Sequence, residues 1–254
     1  VAKTFVKAYT NKLRESLEDV LDFKDEERAV DALQYSTTEG YAPLRSRLKT
    51  YMKEKHGAGR DFDELLITSG AQQALELLAK ALINPGDVVL CEAPSFVGAL
   101  NSFRSVGAKL VGVPLQSDGI DVEALEAAMK ANPNAKFLYT IPNFQNPAGI
   151  TMSMDKRRRV YALAKEYGIL VAEDNPYGDL RYTGENVPAI KTLDDEGLVL
   201  YAGTFSKVIS PGMRVGYAIA PQKLLQKMIV CKQGEDVHTN IWSQMVCEQF
   251  MRQN

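Results

Sequence analysis

Histidine is scarce in this chain: His56 and His238 are the only two in 254 residues. That argues against a metal site built on imidazoles and against histidine acid–base chemistry. Cysteine is scarce too. Cys91, Cys231 and Cys247 are odd in number and widely spaced, so they imply no disulfide framework and no metal-ligand pattern. Such usage fits a reducing compartment. Neither sign of charge dominates, since 30 Lys and Arg stand against 32 Asp and Glu. A net charge of −2 gives no global field for nucleic acid or an anionic membrane. No apolar run is long enough to span a bilayer, and no N-terminal apolar segment has the form of a signal peptide. The cytoplasm is the expected compartment.

What remains is the composition of an ordinary globular protein, 45% hydrophobic and 24% charged. The length suits one large domain, or one domain plus part of another. The one basic cluster, Lys156-Arg157-Arg158-Arg159, sits in an apolar-periodic stretch and reads as the solvated face of a helix rather than a nucleic-acid site.

Phe5, Tyr9, Leu13 and Leu17 recur every four residues and Val20 and Leu21 continue the stripe, which predicts an N-terminal helix. Residues 34–41 are polar and glycine-containing, a loop. Pro43 suits the first turn of a helix that runs to about His56 and ends at Gly57. From Glu64 onward the pattern alternates. Strands are expected at 64–68, 87–91, 108–113, 136–140, 169–173, 198–202 and 215–219, with helices at 71–83, 95–106, 121–130, 153–168 and 221–232. That is an α/β fold: a three-layer, mostly parallel sheet flanked by helices. Functional residues in such a domain gather where the loops leave the strand ends.

Five strand ends carry candidates. Ser69-Gly70-Ala71-Gln72 is a tight turn into a helix, whose free amides at Ala71 and Gln72 favour an anion; an ordinary glycine turn has the same pattern. Phe96 stands just past a strand and suits stacking on a planar ligand or simple core packing. Pro142-Asn143-Phe144-Gln145-Asn146-Pro147 holds Asn146 in a stiff loop, where its amide can donate; Asn-Pro is also common turn chemistry. Asp174 ends a buried strand and needs a cationic or hydrogen-bonding partner, or else caps a helix. Tyr177 follows within reach. The last end holds Thr204-Phe205-Ser206-Lys207, with Arg214 seven residues on. Lys207 reads as a nucleophilic amine and Arg214 as a phosphate clamp. A single lysine is more often a solvated side chain, and Ser206 with Lys207 also fits a hydrolytic dyad.

One ligand uses all of them at once. A phosphorylated, cationic pyridine aldehyde needs an amine (Lys207), a carboxylate at its ring nitrogen (Asp174) and donors to its ring oxygen (Asn146 and Tyr177). It needs an aromatic on its face (Phe96), and amides, hydroxyls and a cation at its phosphate (Ala71, Gln72, Thr204, Ser206 and Arg214). The dyad reading leaves most of these without a role.

On these residues the chain resembles the aminotransferases of fold type I that depend on pyridoxal 5′-phosphate (PLP), and within them the 2-aminoadipate and kynurenine aminotransferase subgroup. The resembling blocks are Gln34-Tyr35-Ser36 with Glu39-Gly40, the Ser69–Gln72 turn, Pro142–Pro147, Glu173-Asp174-Asn175-Pro176-Tyr177-Gly178, and Gly203–Lys207 through Arg214-Val215-Gly216. The resemblance implies that Lys207 bonds the cofactor aldehyde, Asp174 pairs with the ring nitrogen, and Asn146 and Tyr177 contact the ring hydroxyl. It puts Phe96 on the ring face, and Ala71, Gln72, Thr204, Arg214 and the weaker candidate Ser206 at the phosphate. Asn146 and Gly40 fall on the substrate side. Tyr35 reaches the phosphate of a partner subunit, so a homodimer is implied. It implies transfer of an amino group from an L-amino acid to a 2-oxo acid, with 2-oxoglutarate the expected acceptor. Neither a metal nor a nucleic-acid or membrane partner is expected.

The same blocks occur in GntR-type transcription regulators that bind PLP as an effector; the lack of a winged-helix pattern before Tyr35 favours the enzyme. A β-lyase or decarboxylase on the same site is a third reading. Residues 1–32 match no usual arm of the family and are left unassigned. Residues 33–232 are the expected PLP-binding domain, and residues 233–254 are expected to begin a connection toward a small C-terminal domain that the sequence lacks.

Overall fold

The computed structural model of this chain describes residues 13–20 and 26–253. Helices α1 (13–20), α2 (Glu26–Leu33) and α3 (Ala42–His56) precede an alternating region: β1 (Asp63–Thr68), α4 (Ala71–Leu82), β2 (Val88–Ala93), α5 (Val97–Ser105), β3 (Lys109–Gln116), β4 (Gly119–Ile120), α6 (Val122–Ala131), β5 (Phe137–Thr140), α7 (Met154–Tyr167), β6 (Leu170–Asp174), β7 (Val199–Thr204), β8 (Gly216–Pro221), α8 (Gln222–Glu235) and α9 (Ile241–Gln253). Of the expected N-terminal stripe, Phe5, Tyr9 and Leu21 lie outside the described residues; Val20 is buried, and Leu13 and Leu17 pack beside it.

The strands form one sheet in the order β1-β8-β7-β6-β5-β2-β3-β4. Its centre, from β7 to β3, is parallel. Strand β8 runs antiparallel to both its neighbours, β1 and β7, and the short β4 is antiparallel to β3. Period-two alternation sends successive side chains to opposite faces. On one face Leu66, Val89, Cys91, Phe137, Tyr139, Ala172, Leu200 and Ala218 pack under α4, α5 and α8. On the other, Leu90, Leu138, Val171 and Val199 pack under α6 and α7, and Leu65, Ile67, Tyr217 and Ile219 pack under α3 and α9. This is the expected three-layer arrangement.

Local chemistry sets the helix ends. Pro43 stands in the first turn of α3, and Gly57 closes it with φ +61. Asp121 caps α6 by accepting from the amides of Glu123 and Ala124. Among the described residues no helix is long and apolar enough to cross a membrane.

The basic cluster corrects the sequence reading. Arg158 and Arg159 face solvent, but Lys156 and Arg157 are buried. Arg157 has no exposed surface and donates to five acceptors: the carbonyls of Met152, Val187, Pro188 and Pro142, and Asn143 Oδ1. A guanidinium is tolerated in the interior when its forked donors are matched in this way. The four-residue run therefore straddles the boundary of the helix face.

Candidate functional site

The antiparallel setting of β8 decides where the site forms. Thr68 at the end of β1 and Thr204 at the end of β7 both stand opposite Gly216 at the start of β8. One sheet edge therefore gathers three chain segments: Ser69 to Gln72 leaving β1, Phe205 to Lys207 leaving β7, and Arg214 entering β8. The parallel strands β5 and β6 deliver the Asn146 loop and Asp174 to the same edge.

A cavity of about 370 Å³ opens there. Ala71, Gln72, Phe96, Asn146 and Asp174 line it, as do Tyr177, Thr204, Ser206, Lys207 and Arg214. All the candidates expected to come from a single subunit at the cofactor are thus brought together. Leu75, Ile141 and Pro176 complete the lining and were not singled out from the sequence. Leu75 sits four residues after Ala71, one helical turn deeper on the same face. A larger groove of about 740 Å³ lies between α3 and the end of α9 and shares only Thr204 with this set, so its size does not mark the chemistry.

The anion end is built from backbone. Gly70 opens α4 with φ +84, and no side chain caps the first amides of the helix. The Gln72 side chain is committed elsewhere, donating to Gly98 O and Ser102 Oγ; its main-chain amide is the part left for an anion. Thr68 Oγ1 donates to Gly70 O at 2.9 Å and tightens the turn. Gly216 must lack a side chain, because a Cβ there would stand 2.5 Å from Ala71 N. Arg214, itself left-handed at φ +52, donates through Nη2 to Ser69 O at 3.3 Å. Thr204 Oγ1 accepts from the Ser206 amide at 3.1 Å, which sets the turn ahead of Lys207.

The other end is a buried carboxylate. Asp174 is 4% exposed, and burial pushes its pKa up to about 6, opposed by the hydroxyl of Tyr139. Tyr139 donates to Oδ2 at 2.9 Å. Oδ1 is buried with no hydrogen-bond partner. Such an atom costs free energy unless a cationic donor meets it. Lys207 Nζ lies 5.8 Å from the centre of the Tyr177 ring. Burial, and then the Asp174 charge, raise the Tyr177 pKa, while a hydrogen bond with Asn146 lowers it. Phe96 rests over Gly98, where a Cβ would meet its ring at 2.5 Å.

Buried polar groups hold the Asn146 loop. Gln145 Nε2 donates to Glu92 Oε2 and to Pro94 O, and Gln145 Oε1 accepts from the Ala148 amide. Asn143 Nδ2 donates to Asn175 Oδ1, next to Asp174, and Asn175 Nδ2 donates to the Tyr201 hydroxyl. Burial lifts the pKa of Glu92 to about 7. Tyr139, Gln145, Glu92 and Arg157 were not read from the sequence as parts of the site. Glu92 and Tyr139 stand in strands, Arg157 in α7 and Gln145 within the loop itself, and only long-range contacts reveal their part.

Two candidates stand apart from the cavity. Gly40 is buried at φ +106, where a Cβ would overlap Ile67 at 2.5 Å. Tyr35 is 82% exposed and meets His238 edge-on at 5.8 Å. Among the described residues no group of three or more His, Cys, Asp or Glu side chains is placed to hold a metal ion.

Residues 8–251 match the family described as aminotransferase class I and II. The chain belongs to that family. It is 42% identical over 230 residues to the aromatic-amino-acid aminotransferase 1 of Thermococcus litoralis, covering 89% of this chain and 55% of the relative. It is 40% identical over 230 residues to the 2-aminoadipate transaminase of Thermus thermophilus, covering 89% and 56%. Among solved structures, the Pyrococcus horikoshii kynurenine aminotransferase in complex with PMP superposes with a TM-score of 0.91 at 40% identity, covering 95% of this chain and 60% of that one. This class I and II chain thus spans a little over half the length of these curated relatives. Its site fits PLP on its own chemistry: a one-sided buried carboxylate for a pyridinium, an uncapped helix start with an arginine for a phosphate, and a lysine lining the same cavity.

Proposed function

We propose that this chain is the cofactor-binding part of a PLP-dependent aminotransferase that moves an amino group from an L-amino acid to a 2-oxo acid, with 2-oxoglutarate the acceptor. The observation that carries this reading is Asp174 Oδ1, buried without a partner in the cavity that also holds Lys207 and the open start of α4. Names of relatives such as aromatic-amino-acid aminotransferase and 2-aminoadipate transaminase support the reaction class.

Bound PLP supplies an aldehyde that reacts with amines and a ring that takes up negative charge from the reacting carbon. The chain's residues do the rest. Lys207 would hold the cofactor through its aldehyde, and its Nζ would take the proton from the substrate α-carbon as base and return one as acid. Asp174 keeps the ring nitrogen protonated, and Tyr139 fixes the carboxylate's orientation. Asn146 and Tyr177 donate to the ring oxygen, and Asn146 also meets the substrate carboxylate, with Gly40 on the substrate side. Phe96 covers the ring face. Ala71, Gln72, Thr204, Ser206 and Arg214 bind the phosphate. Tyr35, exposed on this chain, serves the phosphate of a second copy in a homodimer. In this reading residues 33–232 form the PLP-binding domain, 233–254 begin a connection, and 1–32 have no assigned role. A cytoplasmic location, argued from cysteine usage, belongs to the same proposal.

Borohydride reduction of the PLP-loaded chain, followed by peptide mapping, tests the site. The label is expected on Lys207; a label on another lysine, or none, overturns the assignment. Amino-acid donors are then screened with 2-oxoglutarate on the complete gene product, with glutamate measured. A labelled Lys207 without glutamate from any donor would reject 2-oxoglutarate as the acceptor, and the absence of any transfer to other 2-oxo acids would favour a PLP sensor.

A further inference from the structure

Behind the Ser69–Gln72 turn lies a partly buried ionic cluster that none of the assigned roles uses. Lys232, on α8, has no exposed surface. Its Nζ donates to Gln73 Oε1 at 2.7 Å, to Asp236 Oδ1 at 2.8 Å and Oδ2 at 2.9 Å, and to Thr239 Oγ1 at 3.0 Å. Gln73 is in the first turn of α4, and its Nε2 returns to Asp236 Oδ2 at 2.9 Å and to Glu235 Oε2 at 3.1 Å. The cluster closes on Ser69. The Ser69 amide donates to Gln73 Oε1 at 2.8 Å, and Ser69 Oγ meets Asp236 Oδ2 at 2.7 Å and Thr239 Oγ1 at 3.2 Å. The remaining polar atom, Ser69 O, accepts from Arg214. Every polar atom of the residue before Gly70 is therefore fixed.

We infer that the Lys232–Asp236 pair, with Gln73 and Thr239, is a positioning device that holds Ser69 so that Gly70, the Ala71 and Gln72 amides and Arg214 meet a phosphate monoester in one fixed geometry. The inference rests on the proposed PLP reading of the site. Lys232 is fully buried while Asp236, its i,i+4 partner at the end of α8, is 28% exposed; burying a charge is costly even when it is paired, so net stability alone does not account for the cluster. What the cluster achieves is geometric: one cation orients three residues, Gln73, Asp236 and Thr239, and these hold the amide and hydroxyl of Ser69. Burial depresses the Lys232 pKa, opposed by the hydrogen bond and charge of Asp236. The device reaches further. Gln244 donates to Thr239 O at 2.7 Å and accepts from the Tyr41 amide at 2.8 Å, so the same segment also fixes the turn that contains Gly40.

A positioning role and a merely structural one differ in what they do to two ligands. PLP carries the phosphate; pyridoxal has the same ring and aldehyde without it. The test is the ratio of their dissociation constants on the 254-residue chain, with Tm recorded for each variant. The native chain is expected to prefer PLP at least tenfold. In Asp236→Asn that preference is expected to fall about tenfold, and in Ser69→Ala several-fold, while pyridoxal affinity stays unchanged. Lys232→Met is expected to behave as Asp236→Asn; should it fail to fold, the other two variants carry the test. If the preference survives in both Asp236→Asn and Ser69→Ala, or if both ligands weaken together with Tm, the positioning role is wrong. If the native chain itself shows no preference for PLP, the PLP reading of the site falls first and the positioning role with it.

Discussion

Tyr139 holds Asp174 from one side only. Its hydroxyl donates to Oδ2 at 2.9 Å, and the equally buried Oδ1 has no donor. The ligand-free chain therefore carries a carboxylate whose pKa stands at about 6 against an ordinary 3.8. A folded-state pKa raised in this way means the folded chain holds the proton more tightly than the unfolded chain. This group's contribution to stability is then most favourable below about pH 4 and declines as pH rises through about 6. Asp174→Asn is expected to remove that decline. Above pH 7 the ligand-free variant is expected to be more stable than the native chain by on the order of 1–3 kcal/mol, a gap that closes below about pH 4. Urea unfolding across that range checks it, and parallel curves would refute it. With PLP bound the order is expected to reverse, because the amide cannot hold a ring proton.

Lys207→Ala is expected to abolish the visible absorbance of the PLP-loaded chain and the borohydride-reducible adduct, while PLP still binds through the anion turn with affinity weakened about 10- to 100-fold, roughly 1.4–2.7 kcal/mol. Mass spectrometry after reduction gives the answer directly; a surviving adduct would assign the amine elsewhere.

Gly70→Ala combines two faults. The residue sits at φ +84, and its Cβ would stand 2.3 Å from Arg214 Nη2. With ψ 162 the residue lies in a region essentially only glycine adopts, and the backbone fault costs about 1–3 kcal/mol, measurable as a lower urea midpoint. The displaced guanidinium is expected to reduce PLP affinity further than the stability loss explains. Gly59, at φ +105 with open space around it, is the control: Gly59→Ala is expected to lose stability and keep PLP.

Arg157→Lys replaces five matched donors to Met152, Val187, Pro188, Pro142 and Asn143 with three. At least two buried acceptors lose their partner, at about 1–3 kcal/mol each. A stability loss of about 2–4 kcal/mol is expected, with faster proteolysis inside the 142–149 loop. An unchanged urea midpoint would mean that the buried guanidinium is dispensable.

Tyr35→Ala is expected to leave monomer stability within about 0.5 kcal/mol, as for other exposed positions, and to weaken PLP only where two chains associate. Mixing Tyr35→Ala with Lys207→Ala full-length protein is expected to restore one working site per mixed dimer. Mixed dimers without activity would reject the cross-subunit role.

The parts of this protein that were legible in the sequence are those governed by short-range pattern. The alternation from Glu64 onward located the core strands and the helices between them, and Pro43, Gly57 and Asp174 lie where local chemistry put them. The strand-end rule found Lys207, Asp174 and Asn146 because parallel strands deliver their ends to one edge. Arg214 precedes its strand, and only the antiparallel pairing of β8 with β1 and β7 brings it to that edge. Spacing from Lys207 suggested it; nothing local required it. Lys156 and Arg157 were misread because a charged side chain resembles a surface residue until its acceptors are known, and those acceptors lie up to 40 residues away. Tyr139 and Lys232 were missed for the same reason: their partners come from other elements.

The pairing of β1 with β8 also bears on the order in which this chain is made. Strand β1 is an edge strand whose one neighbour lies about 150 residues later in synthesis. Until residue 221 leaves the ribosome, Leu65, Leu66 and Ile67 have no strand to join, and non-local pairing of this kind is slow to close. The two halves of the anion turn, Ser69 and Arg214, ride on these same two strands. In the proposed reading, a nascent chain has no phosphate grip until β8 has paired with β1, and the cofactor can favour only a fold in which that pairing is made.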